Sequence, residues 1–98
     1  MKAYYLLMYD IVNPKRLQKI HKICKGYGQQ IQYSVFLCQL TREDLEILKG
    51  KLSKWVNTDD QILFIRIKPV KKTKEGIDSR VISLGKKFSF YEDEYMII

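Results

Sequence analysis

Hydrophobic and polar positions follow two different periods along the first two-thirds of the chain. The continuous apolar run Ala3–Tyr9 predicts a buried central strand. An apolar stripe at spacings of three and four residues then predicts an amphipathic helix. Its members are Leu17, Ile20, Cys24 and Tyr27. Asn13-Pro14 is a helix-start signal, and Gly28 is predicted to stop the helix in the left-handed conformation.

The same two periods then repeat. Gln29–Leu40 reads as extended and is predicted to split into two strands near Tyr33-Ser34. A second stripe predicts a helix that runs to about Val56. Its members are Leu45, Leu48, Leu52 and Trp55. The segment Thr41–Asp44 resembles a capping box with Asp in place of Glu. Gln61–Ile67 is predicted to be another strand after a turn.

This order of elements predicts an α+β fold with a ferredoxin-like βαββαβ antiparallel sheet and both helices on one face. The 98 residues suffice for a single domain. Residues 1–67 are predicted to form its core, and residues 68–98 a basic loop followed by C-terminal strands that pair with a partner or a second copy. The loop carries Lys71, Lys72 and Lys74. Arg80–Leu84 is predicted to be the extra strand, ended by Gly85. The apolar end Tyr95–Ile98 is expected to pair with a sheet edge.

Composition narrows the possible partners. The formal charge of +7 and the pI near 9.4 favour a polyanion such as nucleic acid, although an acidic protein surface also fits. No apolar run is long enough to span a membrane, and the chain does not open with a signal-peptide pattern. Cys24 and Cys38 lack metal-ligand spacing and fall at apolar positions, which predicts buried, reduced thiols in a cytoplasmic protein.

Asp10 is the most informative polar residue. It ends the first predicted strand, precedes a basic helix, and is the only side-chain carboxylate in the first 42 residues. It could cap the following loop or pair with Arg16, and the local spacing favours this structural interpretation. It could instead hold Mg²⁺, which often binds only one or two carboxylates. A two-fold dimer would bring two copies of Asp10 together.

Other polar residues carry weaker signals. Arg16, Lys19 and Lys22 lie along one side of the first helix, where they fit a phosphate-binding surface or a solvated face equally well. His21 reads as an ordinary helix-edge residue. Ser34 has no catalytic partner at suitable spacing, so it is either a turn residue or a hydroxyl that contacts phosphate.

Three short motifs, taken in order, resemble the CRISPR-associated endoribonuclease family, the small second protein of the spacer-acquisition pair. They are Tyr9-Asp10-Ile11, Lys15-Arg16-Leu17 and Gln32-Tyr33-Ser34-Val35-Phe36. The resemblance extends to Leu84-Gly85 and to the acidic-then-apolar tail from Glu92 to Ile98. It covers nearly the whole chain.

The resemblance implies a homodimer in which the two copies of Asp10 face each other and share Mg²⁺. It also implies that Arg16, Ser34 and Phe36 contribute to activity. Family members are metal-dependent endonucleases on single-stranded RNA or double-stranded DNA, or non-catalytic bridges that hold DNA for the CRISPR integrase. Cleavage is the leading hypothesis and bridging the alternative. A basic RNA-binding module without catalysis is a third, which predicts salt-sensitive binding that does not need metal.

Overall fold

The computed structural model describes residues 1–68, 72–73, 76–77, 82 and 84–86. The chain divides after Lys68 into two compact units, Met1–Lys68 and Pro69–Ile98. The first unit contains β1 (Ala3–Asp10), α1 (Pro14–Lys25), β2 (Gly28–Gln32), β3 (Val35–Leu40), α2 (Arg42–Ser53) and β4 (Gln61–Ile67). Its four strands form one sheet in the order β2-β3-β1-β4, with every neighbouring pair antiparallel. The predicted ferredoxin-like arrangement is therefore confirmed.

One face of the sheet carries the hydrophobic core. Tyr5, Leu7 and Tyr9 alternate towards this face of β1, and the buried side chains of both helices pack against it. Among the described residues, the largest fully buried side chains are Leu7, Ile20, Cys24, Phe36, Cys38 and Leu48. Both cysteines are buried and free, as the sequence predicted.

The opposite face of the sheet is also apolar. Leu6 and Met8 point to it from β1, and they lie opposite Ile65 and Leu63 of β4. Leu63 and Ile65 are 42% and 44% exposed, which is high for large aliphatic side chains on a sheet. Asp10 shares this face by alternation, at the end of the strand.

Both helices begin with the predicted caps. The Asn13 side chain accepts hydrogen bonds from the backbone N–H groups of Lys15, at 2.9 Å, and Arg16, at 3.1 Å. Thr41 and Asp44 form a reciprocal capping box. Each cap satisfies N–H groups that lack a partner within the helix, a contribution of about 1 kcal/mol. The first residue of α1 and the entry to α2 are therefore set locally, by sequence.

The helix ends differ from the prediction. α1 ends at Lys25, and Gly28 is not a left-handed stop but the first residue of β2. Among the described residues only Gly85 has a positive φ, of 77°. Gly28 is required for a different reason, since a Cβ there would lie 2.6 Å from the Cys38 Sγ. α2 ends at Ser53, short of Val56, although the Val56 N–H still donates to the Leu52 carbonyl at 3.1 Å.

The described part of the second unit is small. Two short strands, β5 (Lys72–Thr73) and β6 (Gly76–Ile77), pair antiparallel within the segment predicted to be a basic loop. Of the predicted strand Arg80–Leu84 only Ile82 and Leu84 are described, and the rest of it lies outside the described residues, as does the predicted pairing segment Tyr95–Ile98. Across the described part of the chain, neither helix is long and apolar enough to cross a membrane.

Candidate metal and nucleic-acid site

Asp10 lies at the last position of β1, opposite Gln61 of β4, and it is exposed. Within the described part of the chain, its carboxylate forms no hydrogen bond or ion pair. Among the described residues, Asp10 therefore neither caps the following loop nor pairs with Arg16. An exposed carboxylate without a competing partner can accept a cation.

Arg16 pairs with Asp60 instead. Its Nε and Nη2 groups donate to both oxygens of the Asp60 carboxylate at 3.0 to 3.2 Å, a bidentate arrangement. Asp60 also accepts from the backbone N–H groups of Val12 and Asn57, both at 2.9 Å. The Asp60 side chain is fully buried, whereas Arg16 remains 22% exposed.

These contacts make Asp60 the residue that joins the loop after β1 to the turn before β4. The hydrogen bond from Val12 is the largest influence that lowers the pKa of Asp60, and Asn57 and Arg16 lower it further. Because Val12 follows Asp10 by two residues, the carboxylate of Asp60 helps to set where β1 ends. Asp59 and Asp60 are adjacent in a turn, so local spacing could not show which of them is buried.

A polar cluster lies on the helix side of the same sheet end. The Tyr9 hydroxyl lies 2.7 Å from the His21 Nδ1 and donates to the Tyr33 carbonyl oxygen at 3.2 Å. A hydroxyl carries a single proton, so the tautomer of His21 decides whether the hydroxyl donates to Nδ1 or accepts from it. Burial, followed by nearby Cys24 and Tyr33, raises the pKa of Tyr9 above that of a free phenol. Tyr9 therefore remains a neutral hydrogen-bonding group.

His21 is more than the ordinary helix-edge residue that the sequence predicted. Its ring stacks on Tyr33, with centroids 4.7 Å apart and an interplanar angle of 15°. The edge contact with Phe36 has a centroid distance of 5.6 Å. His21 thus links α1 to β1, to β3 and to the turn between β2 and β3. No local pattern marks this role, because its partners are 12 or more residues away in sequence.

Ser34 and Phe36 occupy supporting positions. The Ser34 carbonyl oxygen accepts from the Tyr9 N–H at 3.2 Å, which ties the turn to the end of β1. Phe36 is 0% exposed and stacks with Tyr9 at a centroid distance of 6.2 Å. A ring so buried cannot contact a substrate directly. Phe36 can influence the site only by packing beneath Tyr9 and His21.

The ligand set of a single chain is sparse. Among the described residues there is no group of three or more His, Cys, Asp or Glu side chains that could hold a metal. Asp10 supplies carboxylate oxygen, which suits Mg²⁺ or another hard cation better than zinc. One Asp10 provides only one protein ligand, so these residues fit Mg²⁺ when water or a second copy completes the coordination.

α1 carries a concentration of positive charge near this site. α1 contains no acidic residue, and Lys15, Lys19 and Lys22 are exposed on it. The Lys19 ammonium lies 5.5 Å from the centroid of the Trp55 ring, a cation–π contact between α1 and the turn after α2. Exposed lysines on a helix without acids can bind phosphate groups of a nucleic acid.

Comparison with known proteins identifies the family. Residues 1–75 match the family model described as CRISPR associated protein Cas2. The chain belongs to the Cas2 family. A relative from Rhodospirillum rubrum, named CRISPR-associated endoribonuclease Cas2 1, is 37% identical over 95 residues, which are 96% of this chain and 89% of the relative. The resemblance drawn from the three sequence motifs is therefore confirmed.

Solved structures agree with this assignment. Streptococcus pyogenes Cas2 has a TM-score of 0.64 and 31% identity, over 84% of this chain and 99% of that one. A protein from Thermus thermophilus described as hypothetical, TT1823, has a TM-score of 0.71 and 25% identity, over 89% of this chain and 98% of that one. Nuclease activity is thus a property attributed by name to Cas2 relatives.

Proposed function

We propose that this Cas2-family protein is a homodimeric, Mg²⁺-dependent endonuclease of CRISPR adaptation, in which the Asp10 carboxylates of two copies share the cation. The observation that carries the proposal is the position of Asp10. It is exposed, it has no partner within the described part of the chain, and it shares a face of the sheet with apolar side chains. The names of the relatives support nuclease chemistry.

The apolar sheet face supports the dimer. Leu63 and Ile65 are more than two-fifths exposed, and Leu6 and Met8 lie beside them. Burying such side chains against a second copy is favourable by about 25 cal/mol per Å² of apolar surface. A two-fold axis through this face places the same residues on both sides, so both copies of Asp10 join one interface.

The bound cation would activate water and stabilise negative charge on the phosphoryl group. This chain's own residues provide the surroundings. Asp10 holds the cation, and Asp60 positions the loop that follows it through the Val12 N–H. Arg16 uses its Nε and Nη2 groups for Asp60, which leaves its Nη1 group to donate to a phosphate. Ser34 and Phe36 hold Tyr9 in place at the end of β1.

The test compares the wild type with Asp10→Ala on single-stranded RNA and double-stranded DNA, in Mg²⁺ and in EDTA. Asp59→Ala is the matched control, because it removes another exposed aspartate, from the turn before β4. We expect cleavage only with Mg²⁺, retained in Asp59→Ala and reduced to background in Asp10→Ala. The free energy of unfolding of Asp10→Ala should lie within about 0.5 kcal/mol of the wild-type value, since the side chain is exposed. Cleavage by Asp10→Ala at the wild-type rate, or no cleavage by the wild type, contradicts the catalytic proposal.

A second function is favoured by the basic helix surface. Exposed Lys15, Lys19 and Lys22 could hold DNA for the CRISPR integrase without cleaving it. In that role Asp10→Ala binds duplex DNA as tightly as the wild type, while a triple lysine-to-glutamine variant loses affinity and salt dependence. Binding titrations at several salt concentrations, with and without integrase, separate this role from cleavage.

A further inference from the structure

Tyr33 presents an aromatic ring to solvent at the end of the sheet that carries Asp10. It occupies the turn between β2 and β3 and is 58% exposed. One side of its ring is stacked on His21, with centroids 4.7 Å apart and planes within 15°. The arrangement leaves much of the ring accessible while a second flat ring supports it from behind.

The turn that carries this ring is held on both sides. The Tyr33 carbonyl oxygen accepts from the Tyr9 hydroxyl at 3.2 Å and from the Gln30 Nε2 at 3.4 Å. The next carbonyl, of Ser34, accepts from the Tyr9 N–H at 3.2 Å. His21 is in turn held by the Tyr9 hydroxyl at 2.7 Å. An aromatic side chain fixed before binding loses little conformational entropy when a ligand stacks on it.

Positive charge accompanies the ring pair. Lys22 follows His21 directly, and Lys25 lies one helical turn further along the same side of α1; both are exposed. Proteins that bind single-stranded nucleic acid combine stacked aromatic rings with cations that follow the backbone. A duplex keeps its bases inside the stack, so an exposed ring of this kind discriminates in favour of single strands.

We propose that Tyr33, supported by His21, is a stacking platform for an unpaired base of a single-stranded nucleic acid, with Lys25 contacting the adjoining phosphate. This inference rests on the proposed function, which supplies a nucleic acid as the substrate. It adds that the bound nucleic acid is single-stranded. It does not depend on cleavage, because stacking needs neither Asp10 nor a cation.

The experiment measures binding in EDTA, so that cleavage cannot interfere. Fluorescent single-stranded and duplex oligonucleotides are titrated with the wild type, Tyr33→Leu, Tyr33→Phe and Trp55→Leu. Trp55→Leu is the control, since it removes another partly exposed aromatic ring that carries a lysine contact. Tyr33→Phe keeps the ring and removes only the hydroxyl.

We expect Tyr33→Leu to weaken single-strand binding by about 5- to 150-fold, the range for loss of one base–aromatic stack. Tyr33→Phe should bind within about twofold of the wild type, and duplex affinity should not change. Lys25→Gln should reduce the slope of log affinity against log salt by about one, whereas Tyr33→Leu should leave the slope unchanged.

An oligonucleotide with 2-aminopurine at successive positions gives a readout on the wild type alone, which serves if Tyr33→Leu does not fold. Quenching of one position by the wild type is the expected sign of stacking. The proposal is overturned if no position is quenched, if Tyr33→Leu keeps full single-strand affinity, or if Trp55→Leu shows the loss instead. Cleavage assays with Mg²⁺ are run separately, so failure of the nuclease proposal is distinguishable from failure of this one.

Discussion

Two glycines, one in the sheet and one in a helix, allow the same substitution by alanine to be compared at a crowded and at an open position. Gly28 lies in β2, where an added Cβ would be 2.6 Å from the Cys38 Sγ and 2.7 Å from the Leu37 carbonyl oxygen. Carbon atoms normally approach other atoms to about 3.5–4.0 Å. Relief therefore requires movement of about 1 Å, and because one obstacle is backbone, β2 and β3 must separate locally.

Gly28→Ala should accordingly cost about 1–3 kcal/mol of stability, the usual range for overpacking. Gly50 is the matched position, since it is exposed within α2 and a Cβ there would meet nothing within 4 Å. Gly50→Ala should stabilise the protein by about 0.5–1 kcal/mol, because alanine loses less backbone entropy in a helix than glycine.

Thermal unfolding at one fixed protein concentration measures both effects, and the fixed concentration keeps the concentration dependence of dimerisation the same for all variants. One kcal/mol corresponds to about 4–8 °C in a domain of this size. We expect the Tm of Gly28→Ala to fall by roughly 4–24 °C and that of Gly50→Ala to rise by roughly 2–8 °C. Shifts of the same sign, or a Gly28→Ala protein as stable as the wild type, would refute the close approach of β2 and β3.

Three further predictions concern the core and the buried carboxylate. Burial raises the pKa of Cys24 to about 12 and that of Cys38 to about 11, so a thiol reagent at pH 8 should label both only after denaturation. Phe36→Ala should lower the free energy of unfolding in urea by about 3–5 kcal/mol, because Phe36 is fully buried. A Phe36→Ala protein that loses activity but keeps wild-type stability would contradict the packing role of Phe36. The pKa of Asp60 is lowered in the folded protein, so ionised Asp60 contributes to stability above about pH 4. This contribution to stability is lost as the pH falls through the lowered pKa of the folded protein. Asp60→Asn should therefore flatten the acid side of the stability–pH curve.

Local patterns were sufficient for most of the fold. The period of three and four residues located both helices, and Asn13 and Thr41 marked where they begin. The split of the extended segment at Tyr33-Ser34 and the bounds of β4 also followed from sequence. Gly28 was misread because glycine serves both a left-handed stop and a close strand contact, and only the neighbouring strand distinguishes them.

The site was less predictable than the fold. Asp10 could be singled out, since it ends an apolar run and is the first acid of the chain. The partner of Arg16 could not, because Asp60 is 44 residues further on and is brought there only by the pairing of β1 with β4. The cluster of Tyr9, His21 and Tyr33 was missed for the same reason, since each member comes from a different element.

The strand order has a consequence for how the protein is made. β1 is synthesised first but lies between β3 and β4, and seven of its residues pair with β4, which is the last strand of the sheet to be made. Such non-local pairing closes a long loop and slows folding. A nascent chain cannot pair the end of β1 with β4 until Gln61 has left the ribosome. Asp10 is thus among the first residues to be translated, but its pairing with β4 waits for Gln61.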